Sequence, residues 1–316
     1  MRTASAVVAL ALVAVASVGT GQPAPGPAAP LAELWIDPGP SPRDLFWGSG
    51  GRAHAPDPGA TYTFESRDDA GFSVSYDVTG PKAIEWSAKI GPEAQTEVVV
   101  ARILWGLGYH QPPVYYLPSW KLDSGRGVIR RETEARFRPK LEAFTPADGY
   151  WKWADNPFVH AREFRGLLVV LLMLNSTDLK DENNSVYRLS PPREGASRWF
   201  LVRDLGAALG ETGKLYPRRN WIEGFERAGF ITGVSGGRVQ FDYEGRHEEL
   251  LRQITPADVR WAAERMERLT DAQWRDAFRA GNYADPIARR YIRRIEQKVA
   301  QGLAVKGPPR PSAPRS

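Results

Sequence analysis

Cysteine is absent from the 316 residues. That excludes thiolate nucleophiles, zinc–thiolate centres, disulfide staples and lipid attachment at a cysteine. The four histidines, His54, His110, His160 and His247, are scattered and show no H-x-x-x-H spacing, which argues against a zinc site. No G-x-S-x-G nucleophile elbow occurs, so the simplest hydrolase reading falls away. Long apolar runs are also scarce. The run over residues 6–18 is shorter than the ~20 residues a bilayer span needs, and the next, residues 167–174, is shorter still. No internal repeat is visible. The net charge of +5 includes Lys306, Arg310 and Arg315 near the C-terminus, so the remainder is nearly balanced and no nucleic-acid partner is expected.

What is present is ordinary globular composition, 42% hydrophobic and 25% charged, with enough length for one large domain or two lobes. Arg2, the following apolar run and the small-residue sequence Ala14-Val15-Ala16 mark residues 1–21 as a signal peptide. The expected location is therefore extracytoplasmic, periplasmic or secreted, with no stable membrane span after cleavage; an uncleaved N-terminal membrane anchor is the alternative. Residues 22–56 form a Pro-rich linker, QPAPGPAAP, and an N-terminal extension, while residues 302–316 read as a disordered Pro/Arg tail.

Between these ends the pattern divides in two. Residues 61–90 run TYTFES, RDDAG, FSVSYDV, TGPK and AIEWSAKI, which predicts a three-stranded meander. EAQTEVVVARILWGLGY then places apolar residues at helical spacing, with Gly108 as a stop signal. Strands resume around VYYLPSWKL and RFRPKLEAF, giving a strand-rich lobe over residues 57–149 with one main helix. Helical patterns follow at 161–174, 221–228, 255–269, 271–280 and 286–300, with short strands flanking position 200 in SVYRL and RWFLVRDL. Residues 150–301 thus read as a mainly helical second lobe.

The chemistry-bearing stretch is STDLKDENNSVY, directly behind the apolar run REFRGLLVVLLMLN. Asp178-Leu179-x-x-x-Asn183 offers a carboxylate and an amide oxygen from one short loop. Downstream, Asp204-Leu205-Gly206 ends an apolar strand, where a carboxylate suits a hard cation and the glycine permits a sharp turn. Upstream, Lys89 lies near the end of the third strand, and Glu97 in the next helix is placed to pair with it. Each feature alone also fits a plain structural role: a polar turn, a solvated lysine, or a helix acid favoured by the dipole. Their order along the chain is what makes them a set.

In that order the chain resembles the protein-kinase-like superfamily, and within it the atypical branches: secreted casein-kinase-type enzymes, phosphoinositide kinases and bacterial toxin-type serine kinases. The resemblance covers residues 61–209 and implies an α+β, bilobal protein-kinase-like fold with ATP and Mg or Mn in the cleft. It implies Asp178 as catalytic aspartate, Lys180 beside it as a contact to donor or acceptor phosphate, and Lys89 as the phosphate-binding lysine. Glu97 would be that lysine's partner, with Asn183 and Asp204 as metal ligands. The implied activity is phosphoryl transfer from ATP to a hydroxyl-bearing acceptor. A catalytically inactive binding protein and a nucleotidyl transferase are the alternatives on the same fold.

The departures from the family pattern are specific. Ser176-Thr177 stands where protein kinases have His-Arg, no G-x-G-x-x-G precedes Lys89, and no A-P-E follows Asp204. Asp68 and Asp69 in the first turn would repel phosphate unless they point away or approach a metal. G-E-T-G-K at residues 210–214 lacks the first glycine and final Ser or Thr of a phosphate loop and reads as a turn. The basic run ARRYIRRIEQK reads as a solvated helix face laid on Tyr291 and Ile292, and the aromatics of GYWKW as core packing between lobes.

Overall fold

The computed structural model describes residues 30–69, 73–147, 149–176, 178–212 and 218–306. The signal region, most of the Pro/Ala linker, Thr177, and the last ten residues of the Pro/Arg tail lie outside the described residues, as does part of G-E-T-G-K.

The predicted meander forms: β1 (Thr61–Asp68), β2 (Ser75–Thr79) and β3 (Glu85–Ile90) pair antiparallel in sequence order. After α1 (Glu93–Gly106) come β4 (Tyr115–Leu117), β5 (Trp120–Asp123), β6 (Ile129–Glu132) and β7 (Ala135–Pro139), completing a seven-stranded sheet of order β4-β7-β3-β2-β1-β5-β6. Only the β1–β5 pair is parallel. Period-two alternation gives the sheet its two faces. Tyr62, Trp86, Trp120 and Phe137 share an aromatic core, with Phe137 centred 5.0 Å from Tyr62 and 5.2 Å from Trp120. Lys89, Arg136 and Arg138 occupy the alternate positions and line a cleft.

The second lobe contains β8 (Phe144–Pro146), α2 (Arg162–Met173), β9 (Asn184–Arg193), β10 (Ala196–Val202) and α3 (Ile222–Arg227). It continues with β11 (Ile231–Ser235), β12 (Arg238–Phe241), α4 (Glu248–Leu251), α5 (Pro256–Glu267), α6 (Asp271–Ala280) and α7 (Asp285–Ala304). Capping boxes at Thr255 with Asp258 and at Thr270 with Gln273 start α5 and α6 where the periodicity places them. The expected α+β, two-lobed architecture is therefore what the chain has. The lobes are continuous rather than separate: Val98, Ile103 and Leu104 of α1 share one apolar core with Leu168, Phe225 and Phe278 of the helical lobe.

Several local expectations change. β9 and β10 are longer than the short strands expected, forming a three-stranded sheet with β8. β6 was unforeseen because Ile129 is 60% exposed and carries no alternating burial. The β11–β12 hairpin did have a signal, Gly236-Gly237 between alternating residues, and both glycines adopt positive φ. α7 continues past residue 300, with Gly302 inside it, because a bare backbone there packs against Ala263 and Met173. Residues of the N-terminal extension belong to the helical lobe, where Leu34 and Leu45 are buried and Trp35 meets Trp261 edge-on. Trp151 and Trp153 pack on each other and on Phe164 within the second lobe, while Tyr150 is exposed. No helix of the described residues is long and apolar enough to cross a membrane.

The basic run of α7 is in part the solvated face expected, with Arg289 and Arg293 exposed and Tyr291 buried beneath, and in part bonded to neighbouring elements. Arg290 pairs with Glu223 and Glu226, and Arg294 donates to the carbonyl of Ala228. Lys298 is fully buried, donating to Asn175 Oδ1 at 2.6 Å and lying over the Phe225 ring. Burial holds its amine well below the ordinary lysine range, and Arg294 adds to that effect. In the unfolded chain the amine regains its ordinary value, so between the two values the unfolded state binds more protons and stability rises with pH. Lys298→Met removes that titration. Urea unfolding between about pH 6 and about pH 10 is expected to show wild type gaining stability relative to the variant as pH rises; a pH-independent difference would contradict it.

Candidate functional site

A cleft of about 1360 Å³ opens between the seven-stranded sheet and the helical lobe. Lys89, Glu97, Asp178, Lys180, Asn183 and Asp204 all line it, although they come from β3, α1, the loop after α2 and the end of β10.

Lys89 is the hub. Its Nζ donates to both carboxylate oxygens of Asp204, at 3.1 and 3.2 Å. It lies 2.9 Å from Glu93 Oε2 and 3.6 Å from Glu97 Oε2. Burial alone would lower its pKa; the carboxylates of Glu97, Asp204 and Glu93 outweigh burial and raise it, so the ammonium is retained. Glu97 is therefore a partner as expected, but Glu93 is the nearer one. Glu93 also accepts from Ser73 and from Arg219, which reaches back from the chain beyond Asp204.

Glu97 is 1% exposed and receives two further cations on Oε1, Arg138 at 2.7 Å and Arg136 at 2.9 Å. Burial brings Arg136 down to about 10, which leaves it charged at neutral pH. Sequence reasoning missed these arginines. The available signal was A-R-F-R-P itself, whose arginines stand at alternate positions of a strand with apolar neighbours and so share one face.

The loop after α2 joins the other half of the site. Asn183 Nδ2 donates to the carbonyl of Asp178 at 2.8 Å, and the Asn183 carbonyl accepts from the main-chain N–H groups of Arg203 and Asp204. With its amide nitrogen committed, Oδ1 is the group Asn183 offers to a cation. Asp178 pairs with Lys180 at 3.1 Å, so Lys180 rests on the carboxylate beside it. Asp181 accepts from the main chain of Trp153 and anchors the loop.

Asp204 keeps 44% of its side chain exposed to the cleft. Burial would raise its pKa, but Lys89 and the N–H of Gly206 lower it, so it remains a carboxylate below its ordinary range. Gly206 serves close approach rather than an unusual φ. A Cβ there would lie 2.6 Å from Glu93 Cβ, and the Gly206 carbonyl accepts from Thr96 at 2.8 Å. The glycine thus lets the strand end press against the first turn of α1.

Among the described residues no group of three or more His, Cys, Asp or Glu is placed to hold a metal ion. The donor set here is different: one carboxylate, Asp204, and one amide oxygen, Asn183, linked by the main-chain bond between them. That set suits a hard cation which takes its other ligands from phosphate oxygens and water, and does not suit a cation caged by protein alone. Asp68 also lines the cleft, while Asp69 pairs with Arg67.

No protein-family model matches the sequence, and no curated protein is significantly similar to it. Among solved structures, the chain is similar to that of a Helicobacter pylori proinflammatory kinase, CtkA. The TM-score is 0.47 with 9% sequence identity, over 78% of this chain and 95% of that one.

Proposed function

We propose that this chain is a metal-dependent phosphotransferase that moves a phosphoryl group from ATP to a hydroxyl acceptor. The observation that carries the proposal is a continuous polar network. Lys89 contacts Asp204, Asp204 is bonded through its main chain to Asn183, and Asn183 is bonded through its amide to Asp178. A fixed cation, two cation-binding oxygens and a carboxylate facing the same cleft are what such a transfer requires.

In this reading Lys89 holds donor phosphate oxygens, with Glu93 and Glu97 keeping it extended from β3. Asp204 and Asn183 hold Mg or Mn, which when bound would neutralise charge on the transferring group. Asp178 orients the acceptor hydroxyl and receives its proton, and Lys180 balances the charge that Asp178 carries before the acceptor arrives. Leu168, Val169 and Leu172 of α2, all buried, are the support on which the loop rests.

Calorimetric titration with ATP tests the proposal. Binding is expected to require Mg, and Lys89→Met is expected to weaken it at least about tenfold, the scale of one charge-assisted contact. Absence of binding to ATP and GTP, with either metal, would sink the reading.

A further inference from the structure

The cations of the cleft are not evenly opposed. Glu97 is shared among Lys89, Arg136 and Arg138, and Asp204 is engaged by Lys89. Arg219 and Lys89 share Glu93. Arg203 stands apart from this arrangement. Its backbone is held on both sides, the N–H by Asn183 O at 2.8 Å and the carbonyl by Arg138 at 3.2 Å. Its guanidinium lines the cleft, yet has no hydrogen-bond or ion-pair partner among the described residues.

The electrostatics agree with that geometry. The guanidinium of Arg138 stands beside Arg203, and the carboxylates of Glu97 and Asp204 act on it from beyond bonding distance. Arginine does not shed its proton in the accessible pH range, so two like charges are held close together in a partly buried place. Glu97 answers the charge of Arg138, and an anion bonded to Arg203 would answer the other. A neutral ring would leave the charge unmet; a phosphate or carboxylate would match both the charge and the planar fork of the donors. The cleft also exceeds the ~300–1,000 Å³ usual for a small-molecule site, which leaves room for a second group beside a nucleotide.

We propose that Arg203, backed by Arg138, forms an oxoanion subsite distinct from the Lys89–Asp204 pair, taking a phosphate or carboxylate group of a ligand. Lys89 already faces three carboxylates, whereas Arg203 faces none at bonding distance, so the two positions differ in what they lack. The group belongs either to the nucleotide donor or to an acceptor that already carries an anion next to its hydroxyl.

Inorganic phosphate is the probe, titrated into the full chain without nucleotide and again with saturating Mg–ATP. Wild type is expected to bind phosphate, Arg203→Gln to bind it about tenfold or more weakly, and Arg203→Lys to recover part of the loss. Displacement of phosphate by ATP, with ATP itself weakened in Arg203→Gln, assigns the group to the donor. Phosphate binding alongside ATP assigns it to the acceptor. The melting temperature of Arg203→Gln in phosphate-free buffer is expected at or above that of wild type, because the variant relieves Arg138. No phosphate binding by wild type, equal binding by Arg203→Gln, or loss in Lys89→Met instead, overturns the subsite. Failure of nucleotide binding with Arg203-dependent phosphate binding intact removes the phosphotransferase reading and leaves the subsite standing.

Discussion

Asp204→Ala is expected to reduce phosphoryl transfer by about a thousandfold or more, the scale on which enzymes lose rate when a group opposing transition-state charge is removed. The fold should survive the change. Asp204 is 44% exposed at its side chain, and Lys89 keeps Glu93 and Glu97 as counter-charges after the carboxylate is gone. Labelled-phosphate transfer, with circular dichroism and a thermal melt as controls, measures both parts. Asp204→Asn sharpens the test, because it preserves shape while removing the charge a hard cation prefers. Transfer at wild-type rates by either variant would show that the cation is held elsewhere.

The second large effect concerns stability. Glu97→Ala leaves Arg136 at 4% exposure and Arg138 at 6% without their shared carboxylate, and deprives Lys89 of one of three. Removing one partner of a buried ionic cluster costs about 3–5 kcal/mol, mostly the penalty of stranding the remaining charges in a poorly solvated place. Urea unfolding should report that loss, and melting should fall by roughly 5–15 °C for a chain of this size. Glu97→Gln is expected to lose nearly as much, since the amide fills the space but not the charge. A loss below about 1 kcal/mol would mean that water reaches the arginines freely, and that the cluster is weaker than its burial indicates.

Much of this arrangement was legible beforehand, and the reason differs between elements. The β1–β3 meander and the long helices follow from periodicity, which is a property of near neighbours in the chain. Lys89 near the strand end, Asp178 and Asn183 in one loop, and Asp204 before Gly206 were legible because each is a local pattern. The polar network from Lys89 to Asp178 runs through those residues. Glu93 was missed for the opposite reason: only the bend between β3 and α1 turns it back onto the lysine four residues before it. The basic face of α7 is solvated as expected at Arg289 and Arg293, but the expectation missed two of its other residues. Its charge pattern matches a solvated helix, but α3 supplies two glutamates that pair with Arg290 at the surface, and the chain after α2 supplies Asn175 to the buried Lys298.

From sequence alone came the element types, the missing thiol chemistry and the six polar positions worth testing, because these depend on residue identity and short-range spacing. The tertiary structure alone decided which charges meet. Lys89 and Asp204 are separated by 115 positions and touch only because the sheet of one lobe closes over the strand end of the other. Packing of α1 on the sheet within the first lobe puts Arg136 and Arg138 on Glu97, while no carboxylate of the described residues comes within bonding distance of Arg203. Ion pairing is set by distance and burial after the layers have packed, and neither quantity is written in any local stretch of the chain.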